Sequence, residues 1–404
     1  MEGKNKIEWA INWMPVLGSI RERMSRSKPF KRLKVAMALH LEAKTAALAY
    51  TLKAGGADVR IAGCNPLSTD DEVAKSLKQD FHVDVYARRG IDRKEYYEYL
   101  SKTLEFGPDI IIDDGGDLTT LALDRKDIYE NIIGGNEETT TGVIRLKNIE
   151  KEGALKFPMF DVNDAHMKHL FDNRYGTGQS TIDGILSATN LVLAGKNVVV
   201  AGYGWCGRGI ANRIRGMGAR VTITEIDPFK SIEAHMDGFD VKRMREAIKD
   251  ADLVITATGV RDIVTADMIK VAKDGIILAN SGHFNNEVAV DEMEKEFGKA
   301  REVRRNVKMY SIGKKKAYVL SDGRLVNLVA GQGHPVEIMD LSFSIQALAA
   351  EYISRKRDLP PKVYPVPEEI DRLVAELYLK AQEIKIDSLT KKQIAYINSW
   401  NEGT

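Results

Sequence analysis

A fold of α/β class, doubly wound, with two parallel sheets each covered by helices on both faces, is what this sequence predicts. Three observations carry the prediction. Short apolar runs rich in branched side chains alternate with helix-length amphipathic stretches; the alternation stops and starts again, giving two blocks; and in the second block a glycine-rich turn joins a strand-like run to a helix-like one. The chain's 404 residues, 44% of them hydrophobic, suffice for two or three domains with sizeable cores. Its 59 basic and 58 acidic residues leave a formal net charge of +1. No global field then draws it to nucleic acid or to an anionic membrane, and the expected partners are small molecules or further copies of itself. Cys64 and Cys206 are too few for a disulfide framework, and with no signal peptide in view the expected compartment is a reducing cytoplasm.

The N-terminal run IEWAINWMPVL is too short to cross a bilayer and is interrupted by Glu8, Asn12 and Pro15, which predicts a helix packed on the surface. From Lys34 the first block reads strand KVAMAL, helix EAKTAALAYTLKAGG, strand DVRIAG, a polar helix, strand VDVYA, helix RKEYYEYLSKTLEFG and strand DIIID. Ligands of such a sheet sit beyond the carboxyl ends of its strands. Those ends are LHLE at His40, AGCNPLSTDD at Cys64 and DDGGD from Asp113. Taken alone, Gly-Gly between aspartates is ordinary turn chemistry; three polar clusters on one edge favour a site.

The second block opens with the helix STIDGILSATNLVLAG and the strand KNVVVAG, followed by Gly202, Gly204 and Gly207 in GYGWCG. G-x-G-x-x-G between a strand and a helix makes a tight turn, admits a pyrophosphate against the backbone and offers it helix N-terminal amides. The next strand, RVTITE, ends in Glu225, placed to accept from a ribose 2′-hydroxyl and to repel a 2′-phosphate, so NAD is the expected cofactor. LVITAT and GIILANSG supply further strands. No spacing among histidines, cysteines and acids suggests a zinc site, and no catalytic metal is expected.

In order and approximate spacing, the motifs GCNPLSTDD, DDGGDLT, EETTTGV, FDNRYG, VAGYGWCGRG, ITEIDP, NSGHF and GRLVNLVAGQGHP resemble those of the S-adenosylhomocysteine hydrolase family, from near the beginning of the chain to near its end. The resemblance implies a substrate-binding domain over residues 1–175, a Rossmann NAD-binding domain over 176–333, a return to the substrate domain over 334–385 and a helical oligomerisation segment over 386–404. The two crossings, NRYGTGQS and GQGHP, would form a hinge that closes the domains over substrate and excludes water. A cytoplasmic homotetramer of the methylation cycle is implied as well. The implied reaction is the reversible hydrolysis of S-adenosyl-L-homocysteine to adenosine and L-homocysteine. A thioether at saturated carbon is a poor target for water. Oxidation of the ribose 3′-hydroxyl by NAD acidifies the C4′ hydrogen, a base removes it, the thiol leaves by elimination, water adds, and the proton and hydride return.

By the same resemblance Asp114 is the acid/base residue at C4′, while Asp113 and Asp117 hold the turn. Lys168 and Asn173 handle the 3′-hydroxyl proton, and Glu138 and Asp172 bind ribose hydroxyls. A lysine can take that proton where burial and neighbouring charge lower its pKa. His40 and His283 lie near the reacting ribose, and His334 near the adenine and the domain junction, with Glu42, Lys44 and Met339 completing the substrate pocket. Cofactor contacts are implied for Thr139, Thr140 and Thr141 from the substrate domain and for Asn173, Asn327 and His334. Gly202, Gly204, Trp205, Cys206 and Gly207 would meet NAD at the glycine turn, Glu225 at the ribose, and Ser281, Gly282 and His283 at the far strand end. His82, His166, His169 and His235 carry no motif and read as structural or exposed.

Three departures from the family pattern stand out. Thr177 occupies the place of a cysteine usual after DN-x-YG. The chain ends at INSWNEGT, without the lysine- and tyrosine-bearing tail that in many relatives reaches a neighbour's NAD site, so weaker NAD retention is expected. Glu42 and Lys44 stand where many relatives carry threonine and glutamate near the adenine. Glutamate accepts from a 6-amino group, whereas lysine only donates and suits the 6-oxo group of hypoxanthine. The plainer expectation is that Lys44 pairs with Glu42 or swings to solvent while backbone groups read the base. The alternatives are thus an S-inosyl-L-homocysteine hydrolase using the same ribose chemistry, an NAD-dependent dehydrogenase that releases NADH, and a non-catalytic binding protein on this fold.

Overall fold

The first block of alternating runs builds a parallel sheet. In the computed structural model, which describes residues 2–401, strands β1 (Lys34–Leu39), β2 (Asp58–Gly63), β3 (Asp84–Tyr86), β4 (Ile110–Asp113), β5 (Gly134–Glu137) and β6 (Met159–Asp161) alternate with helices. All their pairings are parallel. β4, Ile-Ile-Ile-Asp, is buried at every position, as a central strand covered on both faces must be.

The second block gives β7 (Asn197–Ala201), β8 (Arg220–Thr224), β9 (Asp240–Val241), β10 (Leu253–Thr256), β11 (Ile276–Asn280), β12 (Arg301–Arg304), β13 (Val307–Ile312) and β14 (Lys315–Leu320). They form one eight-stranded sheet in the order β12-β13-β14-β11-β10-β7-β8-β9. Six of these strands pair in parallel around the nucleotide-type core, but β13 runs antiparallel to both its neighbours, β12 and β14. The sheet is therefore mixed rather than wholly parallel. Short links leave no room for a crossover helix there, and Asn306 and Gly313 take the left-handed backbone that tight reversals require.

The chain passes from the first sheet to the second through a π-helical turn, His169–Gly176, and the helix Thr177–Thr189. It returns at Gly331–Pro335 into the long helix Val336–Arg355, after which β15 (Val363–Pro365) pairs in parallel with β6. The first sheet is thus seven-stranded, β15-β6-β5-β4-β1-β2-β3.

The N-terminal run forms two helices, Glu2–Asn12 and Pro15–Ser27, instead of one surface helix. Pro15 has no N–H to continue the first and is suited to open the second. Ile7, Met14, Leu17 and Ile20 are buried in the first-sheet core, while Trp9 and Trp13 stay exposed. At the other end the helix Lys391–Ile397, with a capping box from Thr390 and Gln393, buries none of its residues against this chain. Residues 402–404 of the expected terminal segment lie outside the described residues. Among those described, no helix is long and apolar enough to cross a membrane.

Helix Pro15–Ser27 lacks a local side-chain cap. Its first-turn N–H groups are met instead by Asp340 on the long return helix, which accepts from Val16 N at 2.9 Å and Leu17 N at 2.7 Å. Asp340→Ala leaves two buried donors bare and should cost about 1–3 kcal/mol. The thermal midpoint should fall accordingly, with Asp340→Asn recovering part of it; an unchanged midpoint would mean that the cap contributes nothing.

Candidate active site at the seam of two sheets

The carboxyl ends of β1 and β4 face those of β7, β8 and β11 across one cavity of about 1200 Å³. All the expected site residues except Gly207 line it, including Met339, Thr139, Thr140 and Thr141.

β4 ends in Asp113, and the three aspartates after the isoleucines divide their work. Asp113 is buried and accepts from Thr119 N at 2.7 Å and Asp114 N at 3.0 Å; burial pushes its carboxyl up to about 6. Asp117 accepts from Arg145 Nη1 at 2.7 Å and Tyr96 Oη at 3.0 Å, while Arg145 also donates to the Gly115 carbonyl at 2.5 Å. With the turn held from both sides, Asp114 is left to face the cavity. Its carboxylate lies 3.6 Å from His40 Nε2 and 3.5 Å from His283 Nδ1. His283 arrives from the second sheet and sits over Gly115, where a Cβ would come within 2.3 Å of its Nε2 and where φ is +106°. Only glycine permits that approach.

His40 is oriented by Ser68, whose Oγ is 2.7 Å from Nδ1. Burial, aided by His283 and His334, pushes His40 down to about 4, so its imidazole is neutral at ordinary pH. Cys64 stands behind Asp114, with Sγ 3.7 Å from Oδ2, and is not part of the wall; burial and the neighbouring aspartates push its thiol up. The ligand atoms of His40, Asp114 and His283 all lie within 4.8 Å of one another, a set able to meet a metal ion. Spacing along the chain gave no sign of it, because the three come from separate strand ends.

Opposite Asp114 lies a buried cluster around Lys168. Its Nζ donates to Asn173 Oδ1 at 2.8 Å and stands 3.5 Å from Glu138 Oε1 and 3.7 Å from Asp172 Oδ2. Asn163 Oδ1 accepts from Asn173 at 3.0 Å and from Lys168 at 3.4 Å. Burial pulls Lys168 down, but Asp172 and Glu138 outweigh it and hold the ammonium above its ordinary value. The condition of a lowered pKa is therefore not met here, because two carboxylates surround the amine. Burial pushes Glu138 up to about 8. Burial also acts on Asp172, yet Lys168 and His334, with His334 Nδ1 at 2.5 Å, hold it below the usual carboxylate range. Ser342 Oγ donates to Asp172 Oδ2 and Gln346 Nε2 to Glu138 Oε2, each at 2.7 Å. Asn163, Ser342 and Gln346 escaped the sequence reading; the one available signal was a serine and an amide four residues apart in a long helix of mainly apolar residues.

On the second sheet, Gly202 turns the chain after β7 and Gly204 opens the helix Trp205–Gly216, which has no side-chain cap. Its first-turn N–H groups remain free for an anion, a fit to a pyrophosphate. Glu225 lies in the cavity wall, with its carboxylate held by Tyr203 N and Ile226 N, each at 2.7 Å. Gly207 is not in the cavity wall: a Cβ there would lie 1.9 Å from the Gly202 carbonyl oxygen, so the glycine lets the helix press on the turn from behind. Trp205 stacks on His169, with ring centroids 5.0 Å apart. Thr177 Oγ1 lies 3.6 Å from Cys206 Sγ and 3.3 Å from His334 Nε2. Ser281 is tied to Thr181 at 2.7 Å, Gly282 N to Asn280 Oδ1 at 2.7 Å, and Asn327 to Ser180 at 3.2 Å. Lys44 pairs with Glu42 at 2.8 Å, the first of the two plainer alternatives, and donates to the Gln332 carbonyl at 2.9 Å.

Fold and site together define a class: a two-sheet α/β enzyme with a dinucleotide turn and an acid–base cluster on one cavity. Residues 173–333 match the family model "S-adenosyl-L-homocysteine hydrolase, NAD binding domain", and residues 1–128 match "S-adenosyl-L-homocysteine hydrolase". The chain is 62% identical to an adenosylhomocysteinase of Thermoplasma volcanium, with 100% of each chain covered. It is 56% identical to the S-inosyl-L-homocysteine hydrolase of Methanocaldococcus jannaschii, covering 100% of this chain and 97% of that one. A solved dipicolinate synthase chain from Bacillus halodurans aligns with a TM-score of 0.50 at 14% identity, over 81% of this chain and 100% of that one, and shows the fold alone. The chain belongs to the S-adenosyl-L-homocysteine hydrolase family, and its cofactor is NAD.

The depressed His40 has a consequence for stability. Unfolded, a histidine protonates near 6.5; folded, His40 refuses the proton until about 4. As pH falls through that window the unfolded chain gains a proton that the folded one lacks, so His40 costs stability progressively. In His40→Gln the thermal midpoint should fall less than in wild type between those two values, and parallel curves would remove the effect.

Proposed function

We propose that the chain hydrolyses, reversibly, the thioether of S-adenosyl-L-homocysteine or of its 6-oxo counterpart, with Asp114 acting at C4′ of the ribose. The observation that carries this reading is the placing of one carboxylate between two imidazoles, with the Cys64 thiol behind it, across a single cavity from the Lys168 cluster and beside the dinucleotide turn. Gly202, Gly204, Trp205, Cys206 and Glu225 would hold NAD from its own sheet, with Ser281, Gly282 and Asn327. Thr139, Thr140, Thr141, Asn173, His283 and His334 would complete the cofactor site at the seam. When bound, NAD supplies reversible oxidation at the ribose 3′ position.

In this reading Glu138 and Asp172 bind the ribose hydroxyls and fix the sugar. The 3′-hydroxyl proton passes to the Lys168 cluster as a unit, since an ammonium and two carboxylates this close titrate together. Asp114 takes the C4′ proton, and the neutral imidazole of His40 and the ring of His283 flank the departing thiol and the entering water. His283 over Gly115 closes the cavity to bulk water. The assignment of residues 1–175 with 334–385 to substrate, 176–333 to NAD and 386–404 to oligomerisation is part of the same proposal, as are the homotetramer, the cytoplasmic location and the role in a methylation cycle. β15 and the long return helix, both packed on the first sheet, support the return segment.

Removing a positioned acid or base costs about 10²–10⁴-fold in rate. Asp114→Asn should still reduce bound NAD when nucleoside is added while C4′ hydrogen exchange and thiol release become slow; Lys168→Ala should impair the reduction itself. Wild-type exchange in Asp114→Asn would send the search to another base. Thiol release without accumulating NADH separates the hydrolase from a dehydrogenase.

A second reading, of the base, is favoured by Lys44, a buried donor in the wall beside Glu42. It matches a 6-oxo purine, and relatives bearing both substrate names stand at similar identity. An unmet polar group in a buried pocket costs about 1–3 kcal/mol, roughly 10- to 150-fold. The kcat/KM ratio of inosyl to adenosyl substrate should therefore exceed one in wild type and fall in Lys44→Glu. A strong adenosyl preference that the substitution leaves unmoved would show that Lys44 serves only its ion pair.

A further inference from the structure

The long return helix Val336–Arg355 carries buried polar side chains inside an apolar body. Asp340 is accounted for as the remote helix cap. Ser342 and Gln346 lie one helical turn apart and so share a face, and each donates to a different carboxylate, Ser342 to Asp172 and Gln346 to Glu138. Those two carboxylates are the ones that flank Lys168. We propose that Ser342 and Gln346 are positioning residues of the reaction, a pair of fixed donors that hold the two ribose-binding carboxylates apart on either side of Lys168. The inference rests on the ribose-binding role given above to Glu138 and Asp172.

Packing alone does not explain Gln346. The side chain is fully buried and its Oε1 has no hydrogen-bond partner. A bare buried acceptor is unfavourable, and methionine or leucine would fill the same volume without it. What the amide does is tie down Glu138 Oε2. The other oxygen, Oε1, is buried without a hydrogen-bond partner and stays 3.5 Å from Lys168 Nζ. Without the tether, both oxygens of a flexible glutamate could swing onto the ammonium.

The donors are also permanent. Neither a serine hydroxyl nor a carboxamide titrates in the working range, whereas the groups they face do. Glu138 faces Lys168 from the short helix before the π turn, Asp172 from the π turn itself and Asp114 from the turn after β4. Asp172 faces Lys168 and His334, and Lys168 additionally faces Cys206 from the dinucleotide helix. A proton can move among these groups while two of their oxygens remain fixed. Each hydrogen bond favours the ionised carboxylate, so its loss raises that carboxyl's pKa.

The test uses the full-length NAD-loaded enzyme with Ser342→Ala, Gln346→Met and Gln346→Glu, and records kcat against pH together with nucleoside affinity against pH by calorimetry. The first two variants should lose about 10- to 100-fold in kcat; Gln346→Met should also move the acid limb of both profiles to higher pH by about one unit, whereas Ser342→Ala, acting on an Asp172 that Lys168 and His334 hold low, should leave that limb in place. Gln346→Glu must share a proton with Glu138, so it should keep more activity than Gln346→Met at low pH and lose it on a new alkaline limb. Where Gln346→Met fails to fold, Gln346→Glu and Ser342→Ala still decide. Profiles that keep the wild-type shape in all the variants, with at most a uniform loss, overturn the proposal. Glu138→Gln separates the two levels: if it leaves rate and profile unchanged, the ribose-site reading itself fails, whereas an impaired Glu138→Gln beside unshifted Gln346 variants sinks the positioning role alone.

Discussion

Taking the Lys168 ammonium out of water carries a desolvation cost of several kcal/mol unless it is met by charge and hydrogen bonds. The elements around it are arranged to meet that demand. Glu138 follows β5, Asp172 and Asn173 lie on the π turn, Asn163 follows β6, and the return helix contributes the donors that hold the carboxylates. Segments far apart in sequence therefore have to assemble before the charge is satisfied. This ties the return of the chain after the second sheet to the chemistry as well as to the apolar core, since an incompletely assembled cluster would leave a buried charge exposed to nothing that answers it.

A parallel strand must end in a loop that leads to a helix, so each sheet gathers its polar groups along one edge. Here two such edges meet. The apolar packing respects the division: one pair of buried clusters flanks the first sheet and another pair the second, and none of the four contains residues of both. The seam is polar, with contacts such as His283 to Asp114 and Lys44 to the Gln332 carbonyl. Parting the sheets would hydrate charged and hydrogen-bonding groups without opening either core, which is the physical requirement for a cavity that admits ligand and then excludes water.

How much of this could be read from the chain depended on whether the signal was local. The strands KVAMAL, DVRIAG, DIIID and KNVVVAG announce themselves by branched apolar runs, and the glycine turn by its place between strand and helix. β5 did not, because Gly-Gly-Asn-Glu has no residue of strong β preference and is a strand only through its neighbours. The antiparallel extension was hidden by its arginines and lysines, which sit on exposed edge positions where charge is tolerated. Among site residues, those within long motifs were legible and nearly all reach the cavity. Ser342, Gln346 and Asn163 were not, since a polar side chain in an apolar helix acquires meaning only from a partner brought to it by tertiary folding. The charge environment of Lys168 was not legible for the same reason: burial was foreseeable, whereas the distances to its two carboxylates were not.

The π-helical turn His169–Gly176 joins the Lys168 cluster to the helix that crosses into the second sheet. A π turn holds more residues for the same advance than an α turn and so sets a phase as well as a length. Each residue of an α-helix turns the chain by about 100°. Excising one residue here would thus swing everything beyond it by roughly that angle about the local axis, carrying Thr177 and the dinucleotide sheet out of facing register with Asp172 and Asn173. The segment works as a torsional spacer, in which the number of residues matters to the seam in a way that the identity of an exposed side chain does not.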